Sequence, residues 1–253
     1  MLTGPQRDRY ARQTALPEIG AEGQARLLAS RVLVVGAGGL GSPAAMYLAA
    51  AGVGVLGIAD DDRIDLSNLQ RQILHGTADV GRPKVESARE TLASLNPDVT
   101  VQAHPLRLTA VEGRELVEGY QFVVDATDNF ASKFAIADIC HAARVPYSHA
   151  GISCFVGQTM TVIPGRTACY RCVFGAPPEP RESDLHPAGP LGPVPGVIGA
   201  IQATEAVKVL LGMGEPLTNR LLTYDALAMT FREVAVRRNP SCPLCGKEAD
   251  SHG

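Results

Sequence analysis

The chain has 253 residues, 45% of them apolar, and a formal charge of −3, enough for one sizeable core with at most a small appendage. Its charges do not cluster as nucleic acid requires, so no nucleic-acid partner is expected. The N-terminal residues, with Arg7, Asp8, Arg9 and Arg12 among polar neighbours, lack the apolar core of a secretory signal, and the protein is placed in the cytoplasm.

Residues 32 to 59 carry no charge and exceed the roughly 20 residues a bilayer span needs. Gly36, Gly38, Gly39, Gly41 and Pro43 divide this stretch, so it reads as soluble strand, turn and helix, with no membrane partner. A strand over 31–35, a small-residue helix over 40–51 and a second apolar strand over 53–59 make a parallel strand-helix-strand unit. Ser42-Pro43 sits where a helix cap and first-turn proline belong. Val85, Ala88, Leu92 and Leu95 recur at helical spacing before Asn96-Pro97, a strand follows from Val99, and Phe122–Asp125 with a helix over 131–143 repeats the alternation. The expected fold is α/β: a Rossmann-like, doubly wound, mostly parallel sheet.

Beyond Tyr147 the pattern changes. Residues 152–155 and 159–163 read as neighbouring strands, and 222–226 with 231–236 as a hairpin-like pair, giving antiparallel C-terminal additions. Residues 176–195 hold seven prolines and no period, which predicts a mobile surface loop before a helix over about 196–211. The division expected is a single domain over 1–253, with a nucleotide-binding half (31–145) and a second half (146–253).

Gly36, Gly38 and Gly41 satisfy G-x-G-x-x-G after a strand, where missing side chains let backbone amides and a helix N-terminus approach phosphate. Such a turn usually serves a dinucleotide, with Asp60 on the ribose. Two cations downstream, Arg71 and Lys84, suit the concentrated charge of a triphosphate better, although solvated surface cations remain the commoner fate of such residues. Of the six cysteines, Cys169-x-x-Cys172 and Cys242-x-x-Cys245 form two knuckles able to complete a tetrahedral zinc site together. The gap between them is too long to be diagnostic, and a redox pair or packing stays open. Cys140, in a helical pattern, and Cys154, in a strand-like run, are expected to be packing. His75, His104, His141 and His149 share no metal-ligand spacing, His186 falls in the loop, and none is assigned chemistry.

Taken in order, Arg9-Tyr-Ala-Arg-Gln13, Gly36-Ala-Gly-Gly-Leu-Gly41, Asp60-Asp-Asp62, Ser67-Asn-Leu-Gln-Arg-Gln72, Val80-Gly-Arg-Pro-Lys84, Asp125-Ala-Thr-Asp-Asn129, the two cysteine knuckles and Gly196-Val-Ile-Gly199 resemble the MoeB/ThiF/HesA group of ubiquitin-activating-enzyme-like adenylyltransferases. The resemblance spans almost the whole chain. It implies ATP-dependent adenylation of the C-terminal glycine of a ubiquitin-like sulfur carrier of MoaD or ThiS type, ending in Gly-Gly, for molybdopterin, thiamine or cysteine-type sulfur transfer.

It further implies that Gly36, Gly38, Gly39, Gly41, Asp60, Asp62, Ser67, Asn68, Gln72 and Asn129 line the ATP pocket. Arg71 and Lys84 would hold the phosphates and Asp128 magnesium, with a helix N-cap a second role for Asp128. Arg12 would reach the phosphates of a neighbouring subunit, which makes a homodimer. Cys169, Cys172, Cys242 and Cys245 would hold structural zinc. Many members carry a further cysteine in the crossover loop that links covalently to the carrier; here none lies between Cys172 and Cys242. A separate sulfur donor is therefore expected, with loop 176–195 as a lid or docking strap for the carrier. Two other classes fit less: a nicotinamide-dependent oxidoreductase using the same turn, and a non-catalytic carrier-binding scaffold.

Overall fold

The computed structural model describes residues 1–176 and 189–246. Helices α1 (Gly4–Arg9), α2 (Ala11–Thr14) and α3 (Gly20–Leu28) lead into strand β1 (Arg31–Val35). Then follow α4 (Gly41–Ala50), β2 (Val55–Ala59), α5 (Lys84–Leu95), β3 (Thr100–His104), α6 (Ala110–Glu118), β4 (Phe122–Asp125) and α7 (Phe130–Ala143). The second half holds β5 (Tyr147–Ser153), β6 (Val156–Val162), α8 (Tyr170–Phe174), α9 (Pro193–Leu211), β7 (Arg220–Asp225) and β8 (Thr230–Ala235).

Among the described residues the strands form one sheet in the order β3-β2-β1-β4-β5-β6-β7-β8. β1 pairs in parallel with β2 and β4, and β4 with β5, whereas β6, β7 and β8 add antiparallel. Alternation sorts each strand's side chains to opposite faces. Val32, Val34, Leu56 and Ile58 meet Leu48 of α4, Leu92 of α5 and Ile198 of α9 on one side. Leu33, Val35 and Val123 meet Phe134 and Ile136 of α7 and Tyr170 of α8 on the other. With helices on both faces, the expected doubly wound architecture with antiparallel C-terminal strands is what forms.

Several local expectations shift. β5 begins at Tyr147 rather than 152, and its hairpin turn falls at Cys154-Phe155. Cys154 is therefore a half-buried turn residue at φ 50°, not a buried strand residue; the next strand begins at Val156, with Gly157 packed against Ile198. Cys140 is fully buried, as expected. Leu40 caps α4, leaving Ser42 inside the helix with its buried hydroxyl unpartnered. Asn129, not Asp128, caps α7 by accepting the Ser132 N–H at 2.8 Å. α9 starts at Pro193, because proline suits a helix's first turn, so the predicted loop ends earlier. Residues 177–188 of that loop, with His186, lie outside the described residues.

α9 is the one described helix long and apolar enough to cross a membrane, and half of it is buried within the fold. It packs along α4 at a close approach that only glycine permits: a Cβ on Gly199 would lie 2.3 Å from the Leu40 carbonyl and 2.6 Å from Pro43.

Candidate active site

β1 runs into α4 on one face of the sheet and β4 into α7 on the other. Their divergence opens a crevice at the carboxyl ends of both strands. There the chain turns at Gly36, φ 98°, where a side chain would strike the Ala126 carbonyl at 2.7 Å. Gly41 brings the turn back onto itself, since its Cβ would lie 1.8 Å from the Gly36 oxygen. Gly38 abuts Gln72, and Gly39 is wedged between Arg71 and Pro195. The glycine turn thus touches the Ser67–Gln72 segment, the start of α9 and the 126–127 backbone at once.

Asp60, at the end of β2, organises the turn. Its Oδ2 accepts the Ala37 N–H at 2.7 Å and its Oδ1 the Asp62 N–H at 2.8 Å. Burial pushes its carboxyl upward, and the Lys84 ammonium and these two N–H groups only partly offset that. Lys84, first residue of α5, lies 2.7 Å from Asp62 and 3.9 Å from Asp60 through a side chain that is 6% exposed. A buried cation beside a phosphate-sized turn is no surface lysine. Arg71 is half-buried and donates to the Ser67 carbonyl. Asn68 spends its side-chain oxygen on the Asp65 N–H at 3.2 Å, while Ser67 lies exposed one turn before Arg71.

Asp128 and Asn129 follow β4 in the loop that touches Gly36. Asp128 is exposed and has no hydrogen bond or ion pair among the described residues. Arg12 is not brought to the turn. Its neighbour Gln13 binds the Ala51 carbonyl at 3.0 Å, at the far end of α4, a helix of ten residues and so about 15 Å long.

Behind this surface lie buried polar groups that no motif marks. His75 Nε2 lies 3.0 Å from the Ala37 carbonyl and Nδ1 2.9 Å from Ser87 Oγ. Because a carbonyl only accepts, Nε2 carries the proton, and burial depresses the imidazole's pKa. His75 is a strut under the glycine turn. Behind the Asp128 loop, Asp125, Lys133 and His149 form a buried cluster. A lone lysine in the otherwise apolar face of Phe130–Ala143 was the readable signal for it.

The four paired cysteines do converge, their sulfurs lying within 4.8 Å of one another. Cys169 is 3.6 Å from Cys242 and 3.7 Å from Cys172, and Cys172 is 3.4 Å from Cys245. A zinc tetrathiolate with arms of about 2.3 Å has sulfur–sulfur edges of about 3.8 Å. The donor set and its spacing fit that ion. Cys169 precedes α8 and Cys242 and Cys245 follow β8, so the cluster ties the last described residues to the helical face.

Fold and crevice together define a nucleotide-binding α/β protein with a four-thiolate cluster fit for a metal. The ThiF family model matches residues 10–244, and the chain belongs to that family. It is 50% identical over 247 residues to the SAMP-activating enzyme E1 of Haloferax volcanii, covering 97% of this chain and 91% of that one. Identity to the sulfur carrier protein adenylyltransferase of Thermus thermophilus is 46% over 247 residues, covering 95% and 91%. Among solved structures, that of E. coli MccB with ATP superimposes with a TM-score of 0.82 at 26% identity, covering 94% of this chain and 74% of that chain.

Proposed function

We propose that this protein transfers the adenylyl group of ATP to the C-terminal glycine of a ubiquitin-like sulfur carrier. The observation that carries the reading is the convergence of Arg71, Lys84 and the Asp128 loop on one glycine turn, in a chain that matches a sulfur carrier protein adenylyltransferase along its length. That convergence favours ATP over a nicotinamide dinucleotide at the shared turn.

The carrier's carboxylate is ionised at neutral pH and needs no general base. One carboxylate oxygen bonds to the α-phosphorus, the bond from that phosphorus to the bridging oxygen breaks, and pyrophosphate leaves with the electron pair. The protein's task is positioning and charge neutralisation. Backbone amides of the glycine turn receive phosphate oxygens. Asp60 and Asp62 face the ribose, with Lys84 released from Asp62 toward phosphate, Arg71 beside it, and Ser67, Asn68, Gln72 and Asn129 lining the pocket. An exposed, unpartnered carboxylate at the turn is the kind of ligand magnesium takes alongside substrate phosphates, and Asp128 supplies it. Magnesium's contribution is to neutralise charge on the leaving phosphates.

Arg12, a helix length from its own turn, serves the site of a second subunit in a homodimer. The apolar groove of α4 and α9, lined by Tyr47, Ala203, Val207 and Met213, supports such an interface. The carrier docks on the second half of the chain, where β8 leaves Phe231 and Val234 half exposed at the sheet's open edge. Zinc at Cys169, Cys172, Cys242 and Cys245 is structural, and four free thiols suit a reducing cytoplasm. Sulfur comes from a separate donor.

ATP–pyrophosphate exchange with candidate carriers, intact or lacking the Gly-Gly tail, tests the reading. Exchange that requires one intact tail supports it. Carrier binding without exchange, unaffected by Lys84→Ala, leaves a scaffold.

A further inference from the structure

Behind the Asp128 turn stands a cation that the phosphate chemistry above does not use. Lys133, on the first turns of α7, is 5% exposed and Asp125 beside it 1%. The Lys133 ammonium donates to the Thr127 carbonyl at 2.6 Å and the Ala150 carbonyl at 2.5 Å, and lies 3.5 Å from both Asp125 oxygens. Its three protons are thereby spent on three separate segments: the turn, β5 and the end of β4.

Asp125 completes the lock. It accepts the Thr127 N–H at 3.1 Å and hydroxyl at 2.7 Å, and faces His149 Nδ1 at 3.3 Å. Gln202 of α9 donates to the Asp125 carbonyl at 2.9 Å, and the Ala126 N–H binds the Val35 carbonyl at 2.9 Å. Asn129 is committed to capping α7. Of the polar side chains from 125 to 129, that of Asp128 alone makes no hydrogen bond or close ion pair among the described residues, although its charge is felt at the Lys133 ammonium. A buried ion pair is seldom kept for stability, because well-packed apolar residues serve as well or better. Its use here is directional.

We propose that Lys133 is a positioning residue that fixes the 126–127 backbone, so that the Asp128 carboxylate stands where the metal accompanying the triphosphate arrives. The inference rests on the Asp128 reading given above. Lys133 touches neither nucleotide nor metal in this role; it acts through the turn.

Calorimetric titration of the whole protein with ATP, in chelator and in magnesium, separates the possibilities. Asp128→Asn and Lys133→Met should each weaken the magnesium-dependent tightening of ATP by about 10–100-fold, the usual cost of losing a support behind a metal ligand. Metal-free affinity should not fall in Asp128→Asn, which removes a negative charge beside the phosphates, so a loss confined to magnesium marks the metal's site. Lys133→Arg, which keeps the cation, should restore most of the tightening. Since Lys133→Met leaves the Asp125 charge stranded, the double variant Lys133→Met/Asp125→Asn, which removes both charges, is measured alongside with its melting curve. Retained tightening in that double variant, with loss in Asp128→Asn, overturns the positioning role alone. No tightening in the parent, or retention in Asp128→Asn, overturns the Asp128 reading and this proposal with it.

Discussion

Gly41 shows how sharply single residues constrain this site. A methyl there would occupy the Gly36 carbonyl, so Gly41→Ala must push the turn and α4 apart. Overpacking of this kind costs about 1–3 kcal/mol; denaturant titration should show that loss together with lost ATP binding, and a parent-like variant would contradict the account of the turn. His149 offers a pH test. Burial holds its pKa down to about 4, against help from the Asp125 hydrogen bond, while the unfolded side chain titrates near 6.5. The folded state therefore keeps this contribution in full above about pH 6.5 and loses it as pH falls through 4, a change of roughly 3 kcal/mol. Asp125, which burial raises but Lys133 and His149 hold below the usual carboxylate range, titrates beneath that window, and burial lowers the Lys133 ammonium's pKa against the pull of Asp125. His75 and His104, also depressed by burial, add in the same sense. His149→Asn, whose amide retains a donor toward Asp125, should flatten the fall in melting temperature between pH 6.5 and 4; an unchanged slope would refute the assignment. The glycines and Lys84 were readable because a motif fixes their spacing. His75 and His149 were not, since their partners lie on other strands and helices, and Lys133 showed only as a lone cation on an apolar helix face, with no sign of the carbonyls and carboxylate it meets.

At the scale of elements, the parallel half of the sheet follows the sequence closely because strands buried on both faces are continuous apolar runs. α6 escaped notice because Gly113 interrupts its pattern; there a Cβ would meet Ile139 at 2.7 Å, so the glycine answers to packing against α7 and not to helix propensity. The start of β5 was missed for a related reason: its first residues alternate Tyr147, Ser148 and His149, all buried, and two polar side chains with internal partners mask the strand. The cysteine cluster makes a prediction at this level. Cys169 precedes Tyr170, whose ring packs 4.5 Å from His149 and 4.8 Å from Phe134, so a metal held by the four thiolates would anchor α8 and the tail beyond β8 to the same face. Metal analysis should find one zinc per chain. Its removal, or Cys245→Ser, should lower the melting temperature and expose 237–245 to proteolysis, while a zinc-free chain of parental stability would contradict a structural metal.

For the whole molecule, the placement of Arg12 follows from packing: α2 and α3 lie against the far end of α4, so Arg12 stands away from its own glycine turn and would meet a phosphate only in the proposed homodimer. The family motif pointed to that arginine, but its distance from its own glycine turn was legible only once the helices were packed. Adenylation of a carrier's terminal carboxylate at a glycine cradle served by two cations and the Asp128 turn would appear as ATP–pyrophosphate exchange in the purified protein with a Gly-Gly carrier. Exchange should require the intact tail and magnesium and fall at least about 100-fold in Lys84→Ala, as removal of one charge-stabilising donor does in related chemistry. Exchange indifferent to the tail, or undiminished in Lys84→Ala, would contradict adenylation at this site.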